Sequence, residues 1–349
     1  MDRIIRVLVV DDSAYVRKVV RQMLSRSPFI EVVGVAHDGL EALELVERLR
    51  PDVVTLDLIM PQMDGVTFLQ EQMKRRPLPV VVVSIASESG DLALKALDAG
   101  AVDFVQKPTA LATEKVFEVS AELIEKVKVA ADVQLTRLPG QFVAAPEVRP
   151  PARPARPAAG AVDVVVIGIS TGGPQALKLL IPRLPADFPV PVAMVLHMPV
   201  GYTEIYAQKL DELSQLKVVE AREGDLVRPG VALLAPAGRH LLFRREEDGS
   251  VVAHLDARPF DTPHRPSVDV LFKSAADVYG SRVLGVVMTG MGADGREGAA
   301  WIKARGGTIF TEAEETCVVY GMPRSVAEAN LSDRSVPLYD MARAIIEAV

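Results

Sequence analysis

Ser170 stands in the stretch G-I-S-T-G-G, between an apolar run over 162–167 and a segment of helical spacing that begins at Pro174. This arrangement matches the G-x-S-x-G nucleophile elbow, a sharp strand-to-helix turn that exposes the serine hydroxyl above the edge of a sheet. Flanking glycines permit such a turn, and the free N–H groups of the following helix can stabilise an oxyanion. Tight connections and phosphate-binding turns share the pattern, so the hexapeptide alone favours neither interpretation.

A serine nucleophile requires a base within hydrogen-bond reach, and the chain contains five histidines. His197 directly follows the apolar run Val190–Leu196, which reads as the strand after the one that carries Ser170. Consecutive strands of a wound sheet are usually neighbours, so His197 is expected beside Ser170. The alternatives are His37, His254, His240 and His264. The first two fit a surface position and a strand position, whereas the last two lie in polar loops and stay open.

An orienting acid is expected in the loop T-G-M-G-A-D-G, which follows the apolar run Val283–Met288. Its glycines permit a tight turn that brings Asp294 over the same ends of the strands. The spacing of Asp294 and Glu297 also fits a helix-capping pattern, which is compatible with a catalytic role. Weaker alternatives for the acid are Asp256, Asp261 and Asp269.

A second set of polar residues ends successive predicted strands in the first 125 residues. They are Asp11 and Asp12 after the first strand, Asp57 after the third, Ser84 at the end of the fourth and Lys107 after the fifth. Carboxylates in one crevice repel one another, so a cation is expected among them, and oxygen ligands suit Mg²⁺. A lysine and a hydroxyl at the same edge could contact a phosphoryl group on one carboxylate. The alternative, five unrelated loop residues, explains this regularity poorly.

Strand-like and helix-like segments alternate in both halves of the chain, which predicts an α/β protein with two doubly wound domains. The first is a (βα)5 domain over residues 1–128. The second, over residues 161–349, has a mainly parallel sheet with an antiparallel hairpin at Leu241–Phe243 and Val251–Leu255. Residues 129–160 are rich in proline, alanine and arginine, which predicts a semi-extended linker.

Composition excludes several classes of protein. A net charge of −7 over 349 residues gives no electrostatic footprint for nucleic acid. The single cysteine, Cys317, provides neither a disulfide framework nor a zinc cluster and is expected to be buried. No apolar run approaches the ~20 residues of a membrane span, and the short N-terminal apolar run does not resemble a signal peptide. We therefore expect a cytoplasmic protein without direct membrane insertion.

Residues 1–125 resemble the receiver domains of two-component response regulators. The resemblance rests on the motifs V-L-V-V-D-D-S, T-L-D-L-I-M-P-Q-M-D-G, V-S-I-A-S and V-Q-K-P-T. It implies that Asp57 accepts the phosphoryl group and that Asp11 and Asp12, with Asp57, hold Mg²⁺. It also implies that Ser84 and Lys107 contact the phosphoryl group and that Phe104 occupies the switch aromatic position.

Residues from about 160 onward resemble the catalytic domain of the chemotaxis protein-glutamate methylesterases. The carrying motifs are I-G-I-S-T-G-G-P, L-H-M-P, H-R-P-S-V-D-V-L-F, M-T-G-M-G-A-D-G and V-Y-G-M-P. The resemblance implies a triad of Ser170, His197 and Asp294. It implies that the Met291 N–H belongs to the oxyanion hole, that Thr171 supports the nucleophile, and that the ester chemistry needs no cofactor.

Together these resemblances imply a phosphorylation-activated serine hydrolase. It would remove methyl esters from glutamates, and deamidate glutamines, on the cytoplasmic helices of chemoreceptors, with the chemotaxis histidine kinase as phosphodonor. Two alternatives remain from the residues themselves. One is a receiver-controlled esterase with another substrate, and the other is a non-catalytic output module that binds phosphate.

Overall fold

The computed structural model describes residues 3–107, 113–135 and 162–349. The chain divides into two compact units, Met1–Phe142 and Val143–Val349. Most of the predicted linker over 129–160 lies outside the described residues. No helix in the described part of the chain is both long and apolar enough to cross a membrane.

The first unit alternates five strands with five helices. The strands are β1 (Ile5–Val10), β2 (Ile30–Ala36), β3 (Val53–Leu56), β4 (Val80–Ser84) and β5 (Asp103–Gln106). The helices are α1 (Ala14–Leu24), α2 (Gly39–Leu49), α3 (Gly65–Arg75), α4 (Ala86–Asp98) and α5 (Thr113–Asp132). The last helix continues four residues past the predicted boundary at residue 128.

All strand pairs of the first sheet are parallel, in the order β2-β1-β3-β4-β5. Buried valines and leucines dominate β1, β3 and β4, as expected for strands covered by helices on both faces. Asp38 and Asp64 start α2 and α3 by accepting hydrogen bonds from backbone N–H groups in the first turn. The order reverses between β1 and β3, so their carboxyl ends border a crevice.

The second unit is larger. Its strands are β6 (Val164–Ile169), β7 (Val192–Leu196), β8 (Lys217–Glu220), β9 (Val231–Leu234), β10 (His240–Arg245), β11 (Val251–Asp256), β12 (Val283–Val287), β13 (Thr308–Glu312) and β14 (Arg334–Val336). Its helices are α6 (Gly173–Leu180), α7 (Thr203–Leu213), α8 (Val268–Tyr279), α9 (Arg296–Ala304), α10 (Met322–Glu328) and α11 (Leu338–Ala348).

Seven of these strands form a parallel sheet in the order β14-β13-β12-β6-β7-β9-β8, while β10 and β11 form a separate antiparallel pair. Helix α8 buries Leu271 and Phe272 in the core, together with side chains of β6 and β12. The predicted fold class is therefore confirmed, and the hairpin is a sheet of its own. The elements after β12, except α9, were not predicted, because their apolar runs are short.

Candidate functional site

Three neighbouring strands bring the predicted catalytic residues to one edge of the second sheet. Strand β6 lies between β7 and β12, and Ile169 pairs with Leu196. The His197 N–H donates to the Ile169 carbonyl over 3.1 Å, and the Ser170 N–H donates to the Thr289 carbonyl over 3.0 Å. The sequence-based expectation that His197 emerges beside Ser170 is confirmed at the level of the backbone.

Two glycines allow the close packing around Ser170. Gly172 precedes α6 with φ +79°, and a Cβ there would lie 2.7 Å from Val318 side-chain atoms. A Cβ at Gly290 would lie 2.7 Å from the Cβ of Ser170. The loop after β12 therefore rests directly against the serine, which is half-buried. Larger residues at either position would displace the turn.

The His197 ring is fixed from two directions. Its Nε2 lies 2.8 Å from Oδ2 of Asp294, and its ring stacks on His264 with a centroid separation of 4.1 Å. Its Nδ1 is buried and has no hydrogen-bond partner among the residues that the structure describes. Because Nε2 faces the carboxylate, Nδ1 is the ring nitrogen left to exchange a proton with a hydroxyl.

Asp294 sits at the N-terminus of α8. Its Oδ1 accepts from the Ser267 hydroxyl and the Asp269 N–H, each over 2.9 Å, and its Oδ2 accepts from the Val268 N–H over 2.8 Å. Burial, the largest single influence, acts to raise the pKa of Asp294. The hydrogen bonds and the charge of His197, with the backbone donors, outweigh it and hold that pKa well below its ordinary value.

This geometry corrects one local interpretation of Asp294. The sequence suggested that Asp294 caps its own helix, but the residue before α9 is Gly295, which has no side-chain cap. Asp269 supplies that cap instead, since its Oδ1 accepts from the N–H groups of Gly295 and Gly298 over 2.9 and 2.7 Å. Asp294 thus stabilises the start of α8, the helix that carries Asp269. Asp269 in turn stabilises the start of α9, the helix that follows Asp294. Burial foremost, with the nearby Asp294 charge, raises the pKa of Asp269 to about 7.

The remaining histidines have other surroundings. His240 is fully buried, and its Nδ1 accepts from the Ser267 N–H over 3.2 Å, so it supports the loop that holds Asp294. His254 lies in β11 against Glu223, and the half-exposed His37 lies against Glu41. His264 is the only polar-loop candidate in contact with the His197 ring among the described residues.

Among the described residues, the two other acids weighed as alternatives to Asp294 form no hydrogen bond or ion pair with His197. Asp256 ends β11 and pairs with Arg258, and Asp261 lines a cavity of about 610 Å³ that also borders Asp294 and His264. Cys317 is fully buried, as predicted.

Thr171 and Met291 flank the serine. Thr171 is buried, and its carbonyl accepts from the Thr289 hydroxyl over 2.9 Å. Met291 is half-buried on the loop between Gly290 and Asp294. Ser170, His197, Asp294, Thr171 and Met291 therefore lie at the same edge of the sheet.

The second polar cluster lies at the reversal point of the first sheet. Nζ of Lys107 is 2.8 Å from Oδ2 of Asp11 and 2.8 Å from Oδ2 of Asp57. Carboxylate oxygens of Asp11, Asp12 and Asp57 all lie within 4.8 Å of one another. Such an all-oxygen set suits a hard divalent cation, so the residues present fit the expected metal.

Burial shapes the electrostatics of this pocket. It is the largest influence on Asp11, whose pKa is raised above its ordinary value although Lys107 acts to lower it. Burial acts to lower the pKa of Lys107, but hydrogen bonds and charge from Asp11 and Asp57 outweigh it and raise that pKa. Lys107 therefore carries its full positive charge at neutral pH.

Ser84 and Phe104 lie on the neighbouring strands β4 and β5. Both side chains are buried, and the Lys107 N–H donates to the Ser84 carbonyl over 2.7 Å. The Phe104 carbonyl accepts from Nζ of Lys126 over 2.7 Å. Burial acts to lower the pKa of Lys126, but Asp103 and Glu122 outweigh it and raise it to about 12. Sequence analysis missed Lys126, because its position on α5 gives no sign of the strand it contacts.

Comparison with known families matches both halves of the chain. Residues 165–345 match the CheB methylesterase family, and residues 7–115 match the response regulator receiver domain. A protein-glutamate methylesterase/protein-glutamine glutaminase of Myxococcus xanthus is 53% identical over 97% of this chain and 96% of its own. The chain belongs to this family.

Other members of the methylesterase family agree with this assignment. The family member of Symbiobacterium thermophilum is 46% identical over the whole chain and 98% of its own length. The crystal structure of the Thermotoga maritima CheB methylesterase catalytic domain covers 54% of this chain and all of its own, with 43% identity and a TM-score of 0.53. The resemblance drawn from the sequence motifs is confirmed.

Proposed function

We propose that this chain removes methyl esters from glutamate side chains of chemoreceptors and deamidates glutamines at such sites, under the control of phosphorylation. The family relation supports the activity, and both clusters of side chains support its chemistry. The observation that carries the catalytic proposal is the His197–Asp294 contact of 2.8 Å on the strand end next to Ser170, with Nδ1 of His197 buried and without a partner in the described part of the chain.

In this mechanism Ser170 attacks the ester carbonyl while Nδ1 of His197 accepts the hydroxyl proton. Asp294 holds the Nε2–H and stabilises the imidazolium that forms. The Met291 N–H and the N-terminus of α6 would stabilise the developing oxyanion. His197 then returns the proton to the departing methoxide, so that methanol leaves and an acyl-enzyme remains.

Water completes the cycle by the same route. His197 accepts a proton from water, the hydroxide attacks the acyl carbonyl, and Ser170 regains its proton as the carboxylate is released. A glutamine substrate follows the same steps with ammonia as the leaving group. Because an amide nitrogen leaves poorly, its protonation by His197 matters more than for the ester.

Control of the enzyme is proposed to begin at Asp57. Transfer of a phosphoryl group to its carboxylate adds negative charge next to Lys107 and Ser84. A Mg²⁺ ion held by Asp11, Asp12 and Asp57 would neutralise charge on the transferring phosphoryl group. Lys107 can then pair with the phosphoryl oxygens instead. Phe104, on β5, would change its side-chain position in response.

The surroundings of the protein follow from this proposal. The substrates would be cytoplasmic helices of methyl-accepting receptors, the phosphodonor a chemotaxis histidine kinase and the compartment the cytoplasm. Residues 1–128 would act as the receiver, 161–349 as the catalytic domain and 129–160 as the linker between them.

Methanol release from methylated receptor, with and without acetyl phosphate, tests catalysis and control together. We expect Ser170→Ala to lower the rate about a thousandfold or more, and Ser335→Ala, an exposed serine on β14, to leave it unchanged. Acetyl phosphate should accelerate the parent protein but not Asp57→Asn. Near-parental methanol release by Ser170→Ala would refute the catalytic assignment.

A further inference from the structure

Glu312 is a buried acid that the mechanism above does not use. It ends β13, where it pairs with Val336 of the edge strand, and its side chain is fully buried. Its Oε2 accepts from the Thr289 N–H over 2.9 Å, and its Oε1 accepts from the Thr316 hydroxyl over 3.0 Å. No ion pair to this carboxyl occurs in the described part of the chain.

Thr289 is the junction through which Glu312 reaches the serine. The Thr289 carbonyl accepts from the Ser170 N–H over 3.0 Å, and its hydroxyl donates to the Thr171 carbonyl over 2.9 Å. The same hydroxyl accepts from the Val319 N–H over 3.0 Å. Gly290 and Met291 come next, so the position of the Thr289 N–H determines where the loop enters the catalytic edge.

We propose that Glu312 is a positioning residue. By accepting from the Thr289 N–H it fixes Thr289, and it thereby aligns the Met291 N–H with the oxyanion formed at Ser170. This inference rests on the proposed function. Glu312 itself does not touch the substrate and acts only through the loop. A buried acceptor of full side-chain length is required, because the Thr289 N–H would otherwise lose its partner inside the core.

The surroundings of Glu312 indicate that reach matters more than charge. The groups that face it are the Thr289 N–H, the Thr316 hydroxyl and the Cys317 thiol, none of which is a cation at neutral pH. Burial, the largest influence, raises the pKa of Glu312 to about 7. The Thr316 hydroxyl also lies 3.3 Å from the Ala313 carbonyl, so it can turn there and accept from an amide. Glutamine can therefore replace Glu312 with both contacts kept.

Two variants separate reach from charge. Glu312→Gln keeps the length of the side chain and removes its ionisable carboxyl group, whereas Glu312→Asp keeps the carboxyl group and shortens the side chain by one methylene. We expect Glu312→Asp to lower kcat for methanol release about 10- to 100-fold, with KM changed less than about twofold, since loss of one oxyanion donor costs ~10²–10³. Glu312→Gln should stay within about threefold of the parent.

The full-length protein, activated with acetyl phosphate, is assayed for methanol release and for labelling of Ser170 by a serine-directed phosphonate. Slower labelling of Glu312→Asp, with parental labelling of Glu312→Gln, supports the inference. The inference is overturned if Glu312→Asp keeps the parental kcat, if only its KM changes, or if both variants lose kcat equally. Labelling of Ser170 in the parent protein would still uphold the proposed function in each of these cases. Full activity of Ser170→Ala in the same assay would remove both proposals.

Discussion

The receiver pocket (Asp11, Asp12, Asp57 and Lys107) and the catalytic edge (Ser170, His197 and Asp294) stabilise their carboxylates in two different ways. Each places carboxylates at the carboxyl ends of parallel strands where the strand order reverses. In the receiver pocket, a lysine side chain bridges Asp11 and Asp57. At the catalytic edge, backbone N–H groups of α8 and the His197 ring surround Asp294.

Under the proposed function, this difference separates a pocket that changes on phosphorylation from a catalytic group that stays in place. Lys107 is a compact charge on a flexible stem, so it can exchange one oxygen partner for another when a phosphoryl group arrives. The donors to Asp294 belong to the first turn of a helix and stay in place while that helix is folded. Side-chain compensation suits a switch, and backbone compensation suits a preorganised catalytic group.

The largest expected effect tests whether the backbone-held carboxylate is needed as an anion. Asp294→Asn should lower kcat by about 10³- to 10⁴-fold, because an amide cannot stabilise the imidazolium and presents its NH2 to donors. Methanol release under saturating substrate measures the loss. Asp277→Asn, which alters an exposed pair with Arg305, serves as the control and should remain at the parental rate. A loss below tenfold would contradict the role of Asp294.

The next effect concerns the side-chain-held pair. Lys107→Met should abolish most of the acceleration by acetyl phosphate and leave basal methanol release unchanged, since the phosphoryl group loses its cationic partner. Removing one member of a buried ion pair should also lower the free energy of unfolding of the receiver, by ~3 kcal/mol. Lys74→Met, which removes an exposed pair with Glu71, is the matched control. Normal activation of Lys107→Met would show that the bridge is not part of the switch.

A smaller effect is expected at Asp269, which caps the helix following Asp294. Asp269→Ala should lower kcat about tenfold, because the N–H groups of Gly295 and Gly298 lose their acceptor. Asp269→Asn retains an oxygen acceptor and should stay within about threefold of the parent. Equal activity of the alanine variant and the parent would show that this cap does not determine the position of Asp294.

The prediction with the smallest expected effect on activity is a pH dependence of stability. Burial raises the native pKa of Glu312 to about 7 from 4.5, so the native state keeps a proton that the unfolded state releases. The contribution of Glu312 to the free energy of unfolding should therefore fall as pH rises from about 4.5 to about 7, by an amount on the order of 3 kcal/mol. Glu312→Gln should lack this contribution and gain stability relative to the parent at pH 8. Denaturant unfolding of the two proteins at pH 5 and pH 8 measures the difference.

The sequence predicted the strand ends better than the contacts beyond them. A clear apolar run precedes each of Ser170, His197 and Asp57 and predicts a strand there. The order of the strands was therefore enough to predict where these residues lie. Asp269 and Lys126 lie on helices, and their partners depend on how those helices pack, which no local pattern encodes. Asp294 was interpreted as a possible cap of its own helix for the same reason. The sequence also predicted the antiparallel pair β10–β11, but it did not predict that this pair forms a sheet separate from the main one.

The reciprocal capping of α8 and α9 has a consequence for how this site could be moved or inherited. A designer who grafted only the three triad side chains onto another wound sheet would bring an aspartate without the helix start that keeps it ionised. The smallest transferable unit is instead two loop–helix junctions together, each supplying the carboxylate oxygen that accepts from backbone N–H groups of the other. Substitutions at Asp269 and Asp294 are therefore expected to be non-additive and to persist or disappear as a pair.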